Sequence, residues 1–453
     1  MIEEGSFKSS SSDSLIDIQI EESLNRESLM AIDSANLKED IYTIFGFVLV
    51  LVLAVLIGIF GPKAAGEYSS SWKFFPDSSN NTLSFPITGI STLQRSISLQ
   101  IKFEKIRLSK ITEKEIIIEY SIEFKKNQQK IKQYSKEKQN ILLSFDKHKQ
   151  FSQPIVLYST SLIDFDFCNV KLNAEKLSND ILSETVSIIY GNEQHTIFQI
   201  YFRLICSGFS IVLFITLLIR LSKISPKLWH LEQQLTIPLL ILSFLMINPL
   251  FIIHMYFPFE LFIYIDHIFS AIFNAYFYFF ILTLFDSLRY KNRKTDKYFF
   301  VPKIILFILY LCILFIESFS HQDQLLDEPF LPRFSKEESI LNWVQIGSEM
   351  VFIGFIILSI IRAALQIDIT ERYKFNMYIM STITAITAIL LCDFVFKAFR
   401  VGMSYSISFI AKFVVKSIYV MLMAYFHWPY EVLNDQVYDN KSENILEDEA
   451  FTV

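Results

Sequence analysis

Long apolar segments are the feature that most constrains how this chain folds. A helix needs about 20 predominantly apolar residues to cross the ~30 Å hydrocarbon core of a bilayer. The chain has 453 residues, of which 52% are hydrophobic, and this apolar content is concentrated in long runs. We therefore predict a mostly α membrane protein with transmembrane helices at Ile41–Phe60, Phe198–Leu221, Leu235–Phe257, Leu261–Phe285, Tyr298–Ser318, Trp343–Leu365, Met377–Phe396 and Ser406–Trp428.

Basic residues in the short connections predict how these helices are oriented. Lys and Arg are enriched in the cytoplasmic loops of membrane proteins. Basic connections at Arg220–Lys227, Arg289–Lys297 and Arg362–Lys374 therefore face the cytoplasm, with Lys397 and Arg400 as exceptions on the outside. Both termini are then cytoplasmic. The prediction comprises a disordered acidic tail at 1–40, a signal anchor at 41–60 and a second acidic tail at 429–453.

Residues 61–197 show the two-residue alternation of β-strands instead of long apolar runs. Apolar residues alternate at 97–103 and again at 116–124, and further short candidates are Ile141–Phe145, Ile155–Tyr158, Ile163–Phe167 and Val186–Tyr190. Period two over such lengths indicates strands. We predict a luminal or extracellular β-sandwich of roughly seven strands. Within it, Lys125–Asn140 is expected to be a solvated loop, and Asn80 lies in a glycosylation sequon.

The third apolar segment is expected to break near its outer end, at Asn248-Pro249. Proline lacks a backbone donor, so a carbonyl one turn earlier loses its helical partner. Within a bilayer such a group needs another donor. We therefore predict a helix break at Asn248 and Pro249.

Ionisable residues inside the spans are costly and are candidate sites by default. Most of them fall toward the outer leaflet, and two interpretations stay open: a polar cavity that accepts a ligand, or structural ion pairs between helices. Lys416 lies too deep to snorkel easily and is expected to pair with Glu349 or Asp393. Arg203 and Lys303, about one turn from a membrane face, are expected to snorkel. The cavity candidates are His254, Asp266, His267, Glu349, Asp393, Lys412 and Lys416.

Composition and motifs disfavour several classes of function. A net charge of −6 implies no basic field for nucleic acid. His254 and His267 could meet, but His427 lies in the opposite leaflet and is interpreted as an interfacial residue, so no metal site or other cofactor is predicted. No zinc-ligand spacing, Walker loop, Gly-x-Ser-x-Gly or His-Glu-x-x-His motif occurs, and we expect no enzyme activity. A channel lacks a glycine-rich pore loop, and the usual G-protein-coupled receptor signatures are missing.

Several short motifs, in their order and spacing, resemble one family. They are Gly61-Pro62-Lys63, Phe202-Arg203, Trp229 with Glu232-Gln233, Asn248-Pro249, Asp266-x-x-Phe269-x-x-x-Phe273, Val301-Pro302-Lys303, Ile361-Arg362-Ala363 and Arg372-x-Lys374-Phe375. Over roughly Phe45 to Trp428 the chain is similar to the transmembrane protein 181 family, within the Wntless-like group. The resemblance implies a luminal GOLD-like β-sandwich at 61–197 and a seven-helix Wntless-like domain at 198–428.

Two positions depart from the pattern that this resemblance implies. The family pattern before Pro249 is Asn-Asp, where this sequence has Ile247-Asn248, so an acid has become an amide. Relatives carry paired cysteines in the β-domain, whereas this sequence has Cys168 alone there. A family disulfide is therefore not carried over.

The resemblance and the outer polar residues together predict a receptor or cargo-sorting protein of secretory or endosomal membranes. It would reside in the Golgi, in endosomes or at the plasma membrane. Its partners would be the lipid bilayer, a luminal protein or lipid cargo, and cytoplasmic sorting adaptors that read Tyr430-Glu431-Val432-Leu433, with Tyr430 and Leu433 as the signal residues. The alternative is a cell-surface, G-protein-coupled-receptor-like signalling protein without the usual signatures.

Overall fold

The computed structural model describes a β-sandwich joined to a bundle of apolar helices. The residues it describes are 29–34, 37–73, 82–106, 112–145, 150–161, 163–175, 181–226, 229–257, 259–289, 297–327, 336–367, 372–398 and 406–430. The first described elements are a short strand, β1 (Leu29–Met30), and a single helical turn, α1 (Ala31–Ser34). The first long helix, α2 (Leu37–Phe60), leads directly into the sandwich.

The sandwich consists of two four-stranded antiparallel sheets. Its strands are β2 (Ala65–Lys73), β3 (Thr82–Thr88), β4 (Ile97–Lys105), β5 (Glu113–Lys126), β6 (Gln129–Ser144), β7 (Ile155–Thr160), β8 (Phe167–Glu175) and β9 (Ile181–Gly191). One sheet has the order β2-β9-β4-β7 and the other β3-β8-β5-β6. The prediction of a β-sandwich in this part of the chain is confirmed, whereas its classification as GOLD-like stays a prediction.

Alternating apolar residues form the core between the two sheets. On β5, Ile116, Ile118 and Ile122 are fully buried, while the intervening residues are more exposed. They face Ile101 and Phe103 of β4, which belong to the same buried cluster. These are the positions at which period two predicted strands, because residues two apart on a strand point to the same face.

Two local predictions for the sandwich are wrong. Lys125–Asn140 is not a loop, because β5 and β6 continue through it as a hairpin. Its turn residues, Asn127 and Gln128, have φ values of 50° and 66°, which suits a two-residue hairpin connection. The predicted strand Ile163–Phe167 is mostly a connection, over residues 163–166, and the strand begins at Phe167 and runs to Glu175. Ile163 is nevertheless buried, so its apolar character reflects core packing without strand pairing.

The remaining helices follow the sandwich in the chain. They are α3 (Glu193–Leu221), α4 (Leu231–Ile247), the short α5 (Phe251–Tyr256), α6 (Glu260–Ser287), α7 (Lys297–Asp327), α8 (Lys336–Gln366) and α9 (Arg372–Ala398). The last span begins as α10 (Ile407–Phe409), passes through a π-helical turn (Ile410–Val414) and ends as α11 (Val415–Phe426). A two-residue strand, β10 (Pro429–Tyr430), follows it and is the last element that the structure describes.

Eight described helical segments are long and apolar enough to cross a membrane, as the sequence predicts. Their bounds are Ile41–Phe60, Glu193–Leu221, Leu231–Met255, Leu261–Ser287, Tyr298–Ile316, Ile346–Gln366, Arg372–Cys392 and Ile407–Phe426. We call the end of the bundle that contacts the sandwich the sandwich end, and the end that carries β1 and β10 the tail end. Which end faces the cytoplasm stays a prediction.

The first helix, α2, is an integral member of the bundle. Phe47, Leu51 and Ala54 are buried in the same apolar cluster as residues of the later helices. At Gly58 the helix approaches the last span so closely that an added Cβ would lie 2.9 Å from Cγ1 of Ile410. The predicted signal anchor therefore packs as the eighth helix, against α9 and the last span.

Candidate functional site

A break between α4 and α5 forms the first part of the site. Asn248 ends α4 in the left-handed conformation, with φ of 50°. Its side-chain oxygen accepts a hydrogen bond from the N–H of Leu250 at 3.1 Å, which holds the turn through Pro249. The carbonyl of Ile247 lies at the break and accepts a hydrogen bond from a guanidinium N–H of Arg203 at 2.7 Å. A side chain from α3 thus satisfies a backbone group inside the apolar bundle.

Arg203 and Asp266 form a buried ion pair beside this break. The two guanidinium nitrogens lie 3.0 and 3.3 Å from the two carboxylate oxygens, and the amide nitrogen of Asn248 donates to Asp266 at 3.0 Å. Arg203 is only 5% exposed, so the prediction that it snorkels is wrong. Burial is tolerated because a bidentate carboxylate and the Ile247 carbonyl replace its water.

The prediction that Lys303 snorkels is also wrong; this residue lies at the tail end of the bundle and is buried. Its ammonium lies 2.6 Å from a carboxylate oxygen of Asp286 and donates to the carbonyl of Phe299 at 2.8 Å. The same nitrogen lies 3.3 Å from the centroid of the Phe299 ring. Lys303 is therefore a buried partner in a helix–helix contact between α6 and α7, where snorkelling was expected.

Arg95 extends from the sandwich into the site. Its guanidinium donates to the side-chain oxygen of Gln199 on α3 at 3.2 Å. The ring of Phe251 lies 4.8 Å from the guanidinium carbon of Arg95 and 4.3 Å from that of Arg203. Burial lowers the pKa of Arg95 to about 10, a shift that Asp266 opposes, so Arg95 remains a cation at neutral pH.

A chain of hydrogen bonds continues from Arg95 across the junction between sandwich and bundle. Gln199 contacts Nε2 of His195 at 2.8 Å, and Nδ1 of His195 contacts the hydroxyl of Ser406 at 3.0 Å. Ser406 donates its proton to the carbonyl of Pro62 at 2.8 Å. The proton of His195 is therefore assigned to Nδ1, and Nε2 accepts from Gln199. This series of hydrogen bonds connects the sandwich, α3, the start of the last span and the end of α2.

A polar stripe begins at this junction and follows α6 into the bundle. Asp266, Ser270, Asn274 and Tyr278 are spaced by four residues, so they lie on one face of the helix. The amide nitrogen of Asn274 donates to the hydroxyl of Ser270 at 3.4 Å. All four side chains remain partly accessible, although α6 is, with the last span, one of the two most buried of the described spans. We call these four residues the polar stripe.

Two other helices contribute ionisable groups to the polar stripe. Lys416, on the last span, donates to the side-chain oxygen of Asn274 at 2.6 Å. The ring of Tyr278 packs edge-on against Tyr310, whose hydroxyl donates to a carboxylate oxygen of Glu349 at 3.2 Å. The predicted ion pair between Lys416 and Glu349 is therefore wrong. The ammonium of Lys416 bonds the side-chain oxygen of Asn274, and the carboxylate of Glu349 accepts from the phenol of Tyr310. The pairing of Lys416 with Asp393 stays a prediction, because the Asp393 side chain lies outside the described part.

The remaining candidates are not gathered at the polar stripe by any described contact. His254 is buried near Phe262, and within the described residues its Nδ1 has no hydrogen-bond partner. His267 is half-buried, and Lys412 lies in the π-helical turn with its side chain exposed. Asn80 and Leu433 lie outside the described residues, as does the side chain of Tyr430.

Metal ligation has no candidate cluster in the described part of the chain. There, no three His, Cys, Asp or Glu side chains come close enough together to hold an ion. The site's chemistry is therefore that of charged and neutral hydrogen-bonding groups within an apolar surround. Such an arrangement can bind and orient a polar ligand group or fix helices to one another.

Eight described helices that are long and apolar enough to cross a bilayer identify this chain as an integral, multi-pass membrane protein. The family model described as "Wntless-like, transmembrane domain" matches residues 192–431. This match covers just over half of the chain, which therefore belongs to the Wntless-like transmembrane family, and the predicted resemblance is confirmed.

Other comparisons add no functional information. No curated protein matches the sequence. Among solved structures, a structure of the infectious bursal disease virus Gt strain is 12% identical, with a TM-score of 0.12, over 29% of this chain and 32% of that chain. A VP2 subviral particle of the same virus is 11% identical, with a TM-score of 0.12, over 29% of this chain and 31% of that chain. Matches with scores this low carry no argument about fold or function.

Proposed function

We propose that this protein is a receptor or cargo-sorting protein of the secretory and endosomal membranes. Its ligand would be a luminal protein or lipid that contacts the sandwich and places a polar group against the polar stripe of α6. Membership of the Wntless-like transmembrane family supports a multi-pass protein of this pathway. No step of the proposal requires catalysis.

The observation that carries the proposal is the polar stripe itself. Core positions of a helix bundle are normally apolar, and polar groups within spans are retained where they have a structural or functional role. Here Phe273 and Phe277 of α6 are fully buried, yet Asn274 between them stays partly accessible, as do the other residues of the polar stripe. A closed structural network would bury those groups, so the partial access favours a cleft that admits a ligand.

Glu349 supports the same interpretation through its partners. Arg203 and Lys303 each have a carboxylate partner inside the bundle. Within the described residues, Glu349 accepts one hydrogen bond, from Tyr310, and forms no ion pair. A carboxylate with capacity for further donors can accept an amine or hydroxyl of a bound ligand.

The junction gives the sandwich a route to influence this cleft. Arg95 contacts residues of both α3 and α5, and Asp266 at the head of the polar stripe is the ion-pair partner of Arg203. A ligand that shifts the sandwich would therefore change the contacts of Arg95 at the entrance to the cleft.

Native mass spectrometry of the protein in lipid discs tests the proposal. We expect a stoichiometric lipid or lipidated ligand on the wild type, reduced at least about tenfold in occupancy by Asn274→Leu or Lys416→Leu, which corresponds to ~1.4 kcal/mol. Thr216→Leu is the matched control, because Thr216 lies on α3 and bonds only carbonyls of its own helix. A wild type without bound ligand, or equal occupancy in the folded variants, would contradict the proposal and leave the polar stripe a structural network.

A further inference from the structure

Arg95 is a cation at the junction whose charge no described carboxylate balances. A guanidinium has five N–H donors, and the described contacts of Arg95 use one of them. The charged groups that act on it are Asp266 and Arg203, and these two already form an ion pair with each other. Glu193, at the start of α3, is bonded to a serine of the sandwich. The junction therefore keeps one positive charge and several unused donors.

The backbone of Arg95 is held in a conformation that favours glycine. It has a φ of 61° and a ψ of −31°, and a positive φ is uncommon for a residue with a Cβ. Its N–H donates to the carbonyl of Thr92 at 3.2 Å and closes a short turn, Thr92–Gln94, that contacts α3 and α5. Such strain costs about 1–3 kcal/mol and is concentrated at functional sites. The turn itself does not require an arginine, so the role of Arg95 lies in its side chain.

Two other buried histidines of the bundle use both ring nitrogens. His427 is fully buried, where an interfacial position was expected, so that prediction is wrong. Its Nδ1 lies 2.6 Å from the hydroxyl of Thr236, and its Nε2 lies 2.8 Å from the hydroxyl of Tyr378. His195 is likewise bonded at both ring nitrogens. Both residues follow the rule that buried polar groups are hydrogen-bonded.

His254, beside Arg95, departs from this rule. It is buried on α5, one turn beyond Phe251, whose ring contacts the guanidinium of Arg95. It also lies within electrostatic range of both Arg95 and Asp266. Its Nδ1 is buried and has no hydrogen-bond partner among the described residues. An unsatisfied buried donor costs about 1–3 kcal/mol, so a ligand oxygen that accepts a proton from Nδ1 would remove this cost.

An exposed apolar surface lies at the other end of α5. This helix has 6 residues and therefore rises about 9 Å from Phe251 to its end. Phe257, Phe259 and Leu261, which flank the connection from α5 to α6, are all exposed. Because the two helices belong to membrane spans, this surface suits the acyl chains of a lipid. A molecule with a negative head and apolar chains matches both the cation and the surface.

We propose that Arg95 and His254 bind the phosphate of an anionic lipid headgroup at the sandwich end of the bundle. Two phosphate oxygens accept from the guanidinium of Arg95, whose fork matches phosphate geometry, and a third accepts from Nδ1 of His254. The acyl chains lie against Phe257, Phe259 and Leu261. A lipid with a net negative charge is preferred over a zwitterionic one, because it balances the remaining positive charge of the junction. The site is distinct from the polar stripe and does not require a ligand there.

Titration of the detergent-purified protein with two lipids, followed by native mass spectrometry, tests the inference. With matched acyl chains, phosphatidylglycerol should bind about tenfold more tightly than phosphatidylcholine, since hydrogen bonds between charged groups are the stronger ones. Arg95→Gln should abolish this preference, and Arg95→Lys, which keeps the charge but not the fork, should retain part of it. His254→Leu should weaken phosphatidylglycerol binding by about fivefold while Arg95 stays in place.

Lys102→Gln is the matched control, because it removes one positive charge from an exposed ion pair within the sandwich. It should leave both lipid affinities unchanged. Equal affinities of the wild type for the two lipids would overturn the inference, as would equal losses in Arg95→Gln and Lys102→Gln. Wild-type binding in His254→Leu would also overturn it, since the buried donor would then take no part. Asn274→Leu should keep the lipid preference, so failure of the polar stripe as a ligand site is distinguishable.

Hydrogen exchange locates the bound lipid and identifies the source of the phosphate. Phosphatidylglycerol should slow exchange at residues 92–96 and 251–256 of the wild type and leave the strands β5 and β8 unchanged. Inorganic phosphate at millimolar concentration should give no such protection, because it lacks the acyl chains. Equal protection by inorganic phosphate would show a site for a free anion and overturn the assignment to a lipid. Protection elsewhere in the bundle alone would place the lipid at another site and overturn it as well.

Discussion

At the scale of single residues, Glu184 shows what a carboxyl group costs when it is buried alone. It lies on the same face of β9 as Val186 and Ile188, which belong to the sandwich core, and it is fully buried. In the described part of the chain neither of its oxygens has a hydrogen-bond partner. Burial raises its pKa to about 8, so the carboxyl group is mostly protonated at neutral pH.

The raised pKa of Glu184 predicts a pH-dependent stability. The unfolded chain loses this proton near the ordinary pKa of 4.5, whereas the folded sandwich keeps it until about 8. Stability is therefore full below about pH 4.5 and falls as the pH rises between these two values. Glu184→Gln should remove this dependence and raise the free energy of unfolding at pH 8 by a few kcal/mol, about 1.4 for each pKa unit.

Thermal unfolding of the protein in lipid discs at pH 5 and pH 8 measures this effect. Glu119→Gln is a suitable control, because Glu119 lies on the exposed face of β5. We expect Glu184→Gln to raise the melting temperature more at pH 8 than at pH 5, with little change at either pH in the control. An equal shift at both values would show that the carboxyl group is not the titrating group.

The position of a single residue could be predicted where it depends on the residue's own segment, and not where it depends on partners distant in the chain. Asn248-Pro249 and Asp266 stand out in the sequence, because a proline and an acid are rare within an apolar span. Arg203 was misassigned, since an arginine one turn from a membrane face can either snorkel or turn inward, and the sequence does not identify its acid. Arg95 could not be predicted at all, because its role depends on how the sandwich docks.

At the scale of elements, the contact between α2 and the last span requires a glycine, Gly58, at the point of closest approach. A Cβ at Gly58 would lie 2.9 Å from Cγ1 of Ile410 and 3.1 Å from the Cα of Ile407. The second atom belongs to the backbone and cannot rotate away. Gly46, on the same helix, has no atom within 4 Å of an added Cβ. The two glycines form a matched pair that differs in packing alone.

Alanine at these two glycines should therefore have opposite effects. Gly46→Ala should be neutral or stabilising, since alanine favours a helix over glycine by up to about 1 kcal/mol. Gly58→Ala should destabilise the bundle by about 1–3 kcal/mol, as overpacking usually does. Unfolding in a mild detergent, followed by circular dichroism, measures both. Equal effects of the two substitutions would mean that α2 does not pack as described.

Elements were predictable where one face is buried. Strands β4, β5 and β9 show the expected two-residue period, because each presents an apolar face to the sandwich core, whereas the helices are predicted from their apolar runs. Strand β6 is exposed on both faces for most of its length and lies at a sheet edge, so no apolar alternation marks it. The four-residue spacing of the polar stripe is visible in the sequence of α6. The role of its residues could not be predicted, because it depends on partners from other helices.

At the scale of the whole molecule, the sandwich and the bundle are coupled through Arg95. Arg95→Ala removes a charged donor from Gln199 and the contact with Phe251, a loss of about 1–3 kcal/mol. We expect hydrogen exchange to rise at residues 92–96 and 193–200, while the strands β5 and β8 remain protected. Lys102→Ala is the control, because Lys102 forms an exposed ion pair within the sandwich. Unchanged exchange at 193–200 in the Arg95 variant would show that the two parts are not coupled there.

The overall architecture could be predicted because each part has its own composition, whereas the assembly could not. Apolar runs define the spans, and alternation defines the sandwich. The contacts between them join residues distant in the chain, such as His195 and Ser406, and no local pattern records such pairings. The sequence predicts a seven-helix domain preceded by a separate anchor. In the described structure the anchor packs with the other seven spans, so the bundle has eight helical spans.

The place of α2 in that bundle has a consequence for synthesis. Among the long helices that the structure describes, α2 is made first, whereas its neighbours, α9 and the last span, are made last. Until then the face of Phe47, Leu51 and Ala54 has only lipid against it. The bundle closes only after the last span is inserted, and a polypeptide truncated before Arg372 lacks both neighbours of α2, which leaves that helix exposed to the machinery that recognises orphan spans.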